Sequence, residues 1–462
     1  MFGPRPMGRR AEQLKKLKDG RRKDGQRGIG RRKYGGKDER TAEGGEGPVK
    51  GKNMALEKRQ KLQNGLVYLV LLSAYLVVTL LLFHWQAVGY DGKYWSDDGA
   101  YLMEIQGMDS GYDFPYPILF WTGRFFSLFT SPQHGLALAI TLLNGLTPIA
   151  LLFFFHRIVY GGKWVRAEKG IAAGILVFSL LFVSMLYPLT YLGRYNEVGE
   201  GFLYRYLGVF SPNPYHNATY LAARAFSVPA FFLFAEILDF YEKENRWYHP
   251  KYVLFSVWLL LATLSKPSFS LVMACAAGCI MLWRLFFHGF RQGVKAFFQL
   301  GIWFIPTFLV FLYQFGDVFR PGKISGEGIG IGFLTAWSTT TGNVPWSIFR
   351  GMAFPLAVLV FCILQREVPK LLRFSWQFYL AALCTLLFLY EKGYRMAHVN
   401  FAWGYMYALF FSFAVSLMIL VGQTARRKQP FWQLGIQWGM YGLHLICGVD
   451  YFRVLFQGGM FH

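Results

Sequence analysis

Charge is scarce in this chain, and acid scarcer than base. Only 16% of its 462 residues are charged, and 48 Lys and Arg stand against 26 Asp and Glu. Soluble domains carry about 25% charged residues, so an ordinary soluble enzyme is excluded. Cysteine is sparse too: Cys275, Cys279, Cys362, Cys384 and Cys447 show neither zinc-ligand spacing nor a disulfide framework. They fall almost wholly in apolar segments and read as small core residues. A P-loop and a dinucleotide-binding glycine fingerprint are both missing. That speaks against nucleotide-dependent chemistry.

What the chain has is apolar surface: 54% hydrophobic and 19% aromatic residues. Apolar runs of about 18 or more residues recur, the length a helix needs to cross a bilayer. They predict an all-α polytopic membrane protein with about eleven transmembrane helices. The expected spans are 65–86, 135–156, 170–190, 217–240, 252–265, 268–287, 296–315, 346–365, 374–390, 401–422 and 430–449. The first begins too late and runs too long for a cleaved signal peptide, so it is expected to remain as a start-transfer helix. Basic connectors at 157–170, 242–251, 284–295, 366–373 and 425–429 fall on the same side as the N-terminus. The positive-inside rule makes that side cytoplasmic. Loops 87–134, 191–216, 316–345 and 391–400 and the tail 451–462 are then expected outside, in a multi-pass plasma-membrane protein.

Residues 1–61 supply +12 of the net charge of +22. Rich in Gly and charge, this tail cannot bury enough apolar surface to offset its ordering entropy and is expected to be disordered. Beside a membrane span, such a tail points to anionic lipid headgroups rather than to nucleic acid.

Two like charges stand side by side in "YWSDDGAYLMEI" (94–105), just past the first span. Asp97 or Ser96 could cap a helix beginning there. One carboxylate could instead serve as a general base, and the pair could hold Mg²⁺ or Mn²⁺. The same loop carries an amphipathic stretch, "PILFWTGRFFSLFTS" (117–131), which fits a helix lying in the headgroup zone. Loop 191–216 brings Arg194. Lys266, in Lys266-Pro267-Ser268, interrupts some thirty apolar residues. A lysine at membrane depth either snorkels at a hairpin tip or is kept for an anion. Finally, "LYEKGYRMAHVNFAWGYMY" (389–407) crowds Glu391, Lys392, Arg395, His398 and Asn400 into a short loop. An interfacial belt would explain the aromatics there, and the arginine fork suits phosphate.

Four features occur in order. They are the first-loop aspartates, the amphipathic helix after them, the Lys-Pro-Ser break, and the late Glu-x-Gly-x-Arg…Asn-Phe-x-Trp loop. Together they resemble the GT-C superfamily of integral-membrane glycosyltransferases, and most nearly its bacterial members of unassigned specificity. The resemblance covers about 65–450. It implies a polyprenyl-phosphate-linked sugar as donor and a glycan, lipid or protein hydroxyl as acceptor. By motif position the first-loop acid would be Asp97 or Asp98, with Asp97 preferred as base. Lys266, Arg395 and Arg194 would face the donor phosphate, with Glu391, His398 and Asn400 beside donor or acceptor. No cofactor is required, because the leaving phosphate carries its own charge; a metal at Asp97 and Asp98 is optional. A polysaccharide polymerase or ligase is the alternative within lipid-linked chemistry. A transporter or flippase is the alternative outside it, and would place charges at mid-membrane and repeat its halves.

Overall fold

The computed structural model describes residues 47–89, 93–94, 96–163, 165–187, 208–287, 290–318 and 328–458. Arg194 and most of loop 191–216 lie outside the described residues. The chain divides into two compact units at Met54; of the first, only the helical residues 47–54 are described. The protein is mostly helical, at 76%. Among the described residues, eight helices are long and apolar enough to cross a membrane.

Helix α1 spans Gly47–Val88. It therefore reaches back through residues 47–61, which the sequence assigns to the disordered tail. Propagating a helix already nucleated by an apolar span is far easier than starting one, and "MALEKRQKLQ" (54–63) is made of good helix formers. Two short helices follow, α2 (Asp98–Gln106) and α3 (Ile118–Ser127). After them come α4 (Pro132–Val159) and α5 (Ala167–Ser179), the latter running into a 3₁₀ turn at Leu180–Phe182. The chain continues with α6 (Ala218–Ile237), α7 (Pro250–Ser265) and α8 (Ser268–Phe287). Helices α9 (Phe290–Gly301) and α10 (Ile305–Val318) make one composite span through a 3₁₀ turn at Ile302–Phe304. The last helices are α11 (Val344–Leu364), α12 (Lys370–Phe388), α13 (Ala402–Arg426) and α14 (Phe431–Phe456).

All eleven expected spans coincide with helix, but three differ in kind. Helix α7 is a shorter apolar helix. Helix α14 is not among the eight candidate spans, since it carries Gln433, Gln437, His444, Asp450 and Arg453. Helix α5 with its 3₁₀ turn stops at Phe182, well short of the expected end at 190. Beyond it the backbone is irregular and takes its hydrogen bonds from neighbours. Ser184 N donates to His444 O (3.1 Å) and Leu186 N to Arg350 O (2.9 Å), while Arg350 Nε donates back to Leu186 O (2.6 Å). Irregular backbone at membrane depth is tolerated where protein surrounds it.

Helices α6 and α13 form the centre and are buried along most of their length, whereas α1 and α9–α10 lie at the periphery. Of the cysteines, Cys362 and Cys447 are buried core residues, while Cys279 and Cys384 face outward on α8 and α12. Helix α3 lies against α4, burying Leu119, Phe120 and Gly123. Trp121, Phe125, Leu128 and Phe129 stay exposed, the two-faced pattern expected of an interfacial helix. The only strands among the described residues are β1 (Ile329–Ile331) and β2 (Leu389–Glu391), antiparallel with Gly330 opposite Tyr390. A Cβ on Gly330 would stand 2.4 Å from the Tyr390 ring, so glycine permits the pairing. This ribbon ties the 316–345 loop to the one that carries Glu391.

Helix α14 crosses the end of α5 at Gly448, where an added Cβ would stand 1.5 Å from the Phe182 carbonyl oxygen. Backbone cannot yield as a side chain tip can. Gly448→Ala is therefore expected to abolish the monodisperse peak in size-exclusion chromatography. Gly439→Ala, on the same helix with nothing within 4 Å, should leave it intact. Equal behaviour of the two variants would refute this packing.

Candidate active site

Asp97 occupies the N-cap position of α2, yet its side chain makes no capping bond. Ser96 Oγ takes the nearby amide instead, accepting from Asp98 N at 3.2 Å. The capping explanation for Asp97 thus fails. Its carboxylate turns to Asn217, whose Nδ2 donates to Asp97 Oδ2. The backbone follows, with Asp97 N donating to His216 O (3.1 Å).

Asn217 is the hub. It is the N-cap of α6, its Oδ1 accepting from Tyr220 N at 2.8 Å. Its Nδ2 also donates to Tyr101 Oη (3.0 Å), and its Oδ1 accepts from Thr219 Oγ1 (2.9 Å) and Lys266 Nζ (3.2 Å). Lys266 Nζ donates to Thr219 Oγ1 as well (2.9 Å). Tyr101 Oη and Thr219 Oγ1 are 3.2 Å apart. Since Thr219 already donates to Asn217, the tyrosine proton completes that contact.

Lys266 sits in the break between α7 and α8, outside both helices, and is only 6% exposed. Its ammonium lies 4.5 Å from the Trp403 ring centroid, a cation–π contact. Burial pulls its pKa from 10.5 to about 8, and the neighbouring Asp97 works the other way. Thus α2, α6, the α7–α8 break and the start of α13 converge on one point.

Asp98 differs from its neighbour. It is 1% exposed, and its Oδ2 has no hydrogen-bond partner among the described residues. Burial first, and Asp97 second, hold its pKa well above the usual carboxylate range. Below the unfolded carboxylate range both states are protonated and Asp98 exerts no pH-linked effect. As pH rises through that range only the unfolded chain ionises, so native stability falls until the raised native pKa is reached. Asp98→Asn is expected to raise the melting temperature at pH 7, with the gain vanishing near pH 4. A lower melting temperature at pH 7 would show that Asp98 is stabilising as an anion.

The late loop makes a second group. Glu391 Oε2 accepts from Asn400 Nδ2 (2.6 Å) and from Arg395 Nε (3.3 Å), both partners of the ion pair being largely buried. His398 stays outside this polar group. It is exposed, its ring 6.0 Å from Tyr112 and 5.6 Å from Tyr394. Tyr116 lies in electrostatic range of both groups. Burial raises its phenol pKa and Asp97 adds to this, while Arg395 opposes it and Glu391 adds again. Among the described residues, no group of three or more His, Cys, Asp or Glu is arranged to hold a metal ion.

Sequence reasoning missed the hub. Asn217 directly precedes the apolar run of α6, and an N-cap asparagine there was a readable signal. Its link to Asp97, 120 positions earlier, was not. Arg224 was also missed. It is fully buried in α6, with Nη1 donating to Asn213 Oδ1 and Nη2 to Asn144 Oδ1 (2.9 Å). Phe410 lies beneath it, 4.6 Å from centroid to guanidinium carbon. No carboxylate is paired with it among the described residues. Asn213 Nδ2 donates to Leu180 O and Val183 O (2.9 Å each), and Tyr215 Oη to Leu181 O (2.7 Å). The cation is therefore linked through Asn213 to the carbonyls of the turn that follows α5.

No protein-family model matches the chain, and a search of curated proteins finds no match.

Proposed function

We propose that the chain is a membrane glycosyltransferase that moves a sugar from a polyprenyl-phosphate donor to an acceptor hydroxyl at the outer face of the plasma membrane. The reading takes eleven crossings, with the N-terminus cytoplasmic and the site outside. The observation that carries it is Asp97. A partly exposed carboxylate at a cap position declines to cap, is oriented by Asn217 and lies beside a buried ammonium. Such an acid is placed to take a proton rather than to start a helix.

In this mechanism Asp97 accepts the acceptor's hydroxyl proton as that oxygen bonds the anomeric carbon from the face opposite the leaving group. The anomeric carbon–phosphate oxygen bond breaks, and the lipid phosphate departs with the electron pair, inverting the centre. Arg395 meets the developing charge, steadied by Glu391 and Asn400; Arg194 is a further candidate. The exposed rings of His398, Tyr112 and Tyr394 suit an acceptor sugar. No step runs through a metal.

The test is transfer by the purified full-length protein, offered a panel of polyprenyl-phosphate sugars with glycan, lipid and peptide acceptors and read by mass spectrometry. Absence of product across the panel would overturn the proposal. A second reading, a transporter, draws on Arg224 and the truncated α5, since buried charge and half-helix ends mark transport sites. Flux into proteoliposomes without product would favour it.

A further inference from the structure

Lys266 is the cation nearest Asp97, and an obvious role for it is to bind the donor phosphate. Its bonding argues otherwise. An ammonium has three N–H groups. Here one reaches Asn217 Oδ1 at 3.2 Å and another Thr219 Oγ1 at 2.9 Å, and the Trp403 face lies 4.5 Å away. Two of the three are thus committed to protein oxygens and the indole lies beside the ammonium, so Lys266 is held by its neighbours before any ligand arrives.

The same inventory applies to Asn217. Its two amide protons go to Asp97 and Tyr101, and its carbonyl takes Lys266, Thr219 and the Tyr220 amide. An amide carrying a cation on its oxygen is polarised toward a stronger N–H donor. Lys266 therefore acts on Asp97 through the Asn217 amide. With Tyr220 N and Thr219 as anchors, that amide has one orientation. It is rigid because it caps α6, and α6 is the most buried part of the molecule along with α13.

We propose that Asn217 is the positioning residue of the site. It clamps the Asp97 carboxylate in the orientation that faces the acceptor, and Lys266 is the charged end of that clamp rather than a ligand for the donor phosphate. This rests on the glycosyltransferase reading for its kinetic consequence, but the clamp itself can be tested without any substrate.

The first experiment is a reciprocal exchange read by thermal unfolding of the purified full chain. Asn217→Asp alone replaces the donating amide with a second carboxylate facing Asp97, and the melting temperature is expected to fall by several degrees. Adding Asp97→Asn restores one donor and one acceptor across the same gap, now with the carboxylate against Lys266. At least half of the loss should return. If Asp97→Asn returns less than half of the loss, or deepens it, the two side chains are not coupled and the clamp is wrong.

The second experiment uses whichever polyprenyl-phosphate sugar supports transfer. Lys266→Met is expected to lower kcat about 100-fold, within the range seen for impaired general-base catalysis, with donor KM within about twofold of wild type. Lys266→Arg should recover part of kcat. A tenfold rise in donor KM at unchanged kcat would make Lys266 a phosphate ligand and overturn its assignment to the clamp. If no donor supports transfer, the glycosyltransferase reading fails while the exchange experiment still decides the Asp97–Asn217 coupling.

Discussion

Asp97→Asn should lower the rate of sugar transfer about 10³-fold or more while leaving the protein folded, inserted and monodisperse. General-base catalysis contributes roughly 10²–10⁴-fold, and an amide cannot take a proton from a hydroxyl. The fold should survive because Asp97 is only partly buried and makes no capping bond that the variant would lose. Its contact with Asn217 Nδ2 is an oxygen acceptor, which asparagine retains. The variant at Asp98 makes the matching control. At 1% exposure Asp98 is closed off from an incoming hydroxyl, so its substitution should tell on stability. Should Asp97→Asn keep more than about a tenth of wild-type turnover, the base lies elsewhere and the mechanism built on Asp97 is wrong.

The second large effect is expected at Arg224, and it concerns the fold. Arg224→Met should destabilise the protein by about 2–4 kcal/mol. Two opposed contributions have to be weighed. Removing the guanidinium strands two buried acceptors, Asn213 Oδ1 and Asn144 Oδ1, at about 1–3 kcal/mol each. Removing a buried charge could in principle return several kcal/mol. In a membrane protein it returns little, because α6 stripped of its neighbours would leave the arginine facing lipid, which is no better. The stranded acceptors decide the sign. Asn213 also joins the end of α5 to the segment that presents His216 and Asn217, so its loss of partner should loosen both. Arg224→Lys keeps the charge without the two-pronged fork and should fall between. Thermal or denaturant unfolding of the purified variants measures this. A melting temperature for Arg224→Met within about 2 °C of wild type would show that the guanidinium is incidental.

Some of this was legible in the chain and some was not, and the division follows the range of the interactions. Each of the eleven apolar segments reads as helix because hydrophobic length and periodicity are local properties. The amphipathic α3 reads correctly for the same reason. Where α5 stops was hidden. Its apolar run continues to 190, but the bonds that replace helix there come from His444 and Arg350, far away in sequence. The beginning of α1 was hidden differently, because cooperativity carries a helix past the composition change that seemed to mark its limit.

At the site, the sequence determined which residue types were out of place. Two acids beside a span, a lysine inside an apolar run and a loop crowded with Glu, Arg, His and Asn all stand out against their surroundings, and no partner need be known to see it. The tertiary structure decided what they face. It turned Asp97 away from the helix it precedes, buried Asp98, closed Lys266 onto Asn217 and Thr219, and set Glu391 against Arg395. Those outcomes depend on hydrogen bonds between residues up to 120 positions apart. A neutral residue such as Asn217 gains its importance only from being the place where Asp97, Tyr101, Thr219 and Lys266 meet.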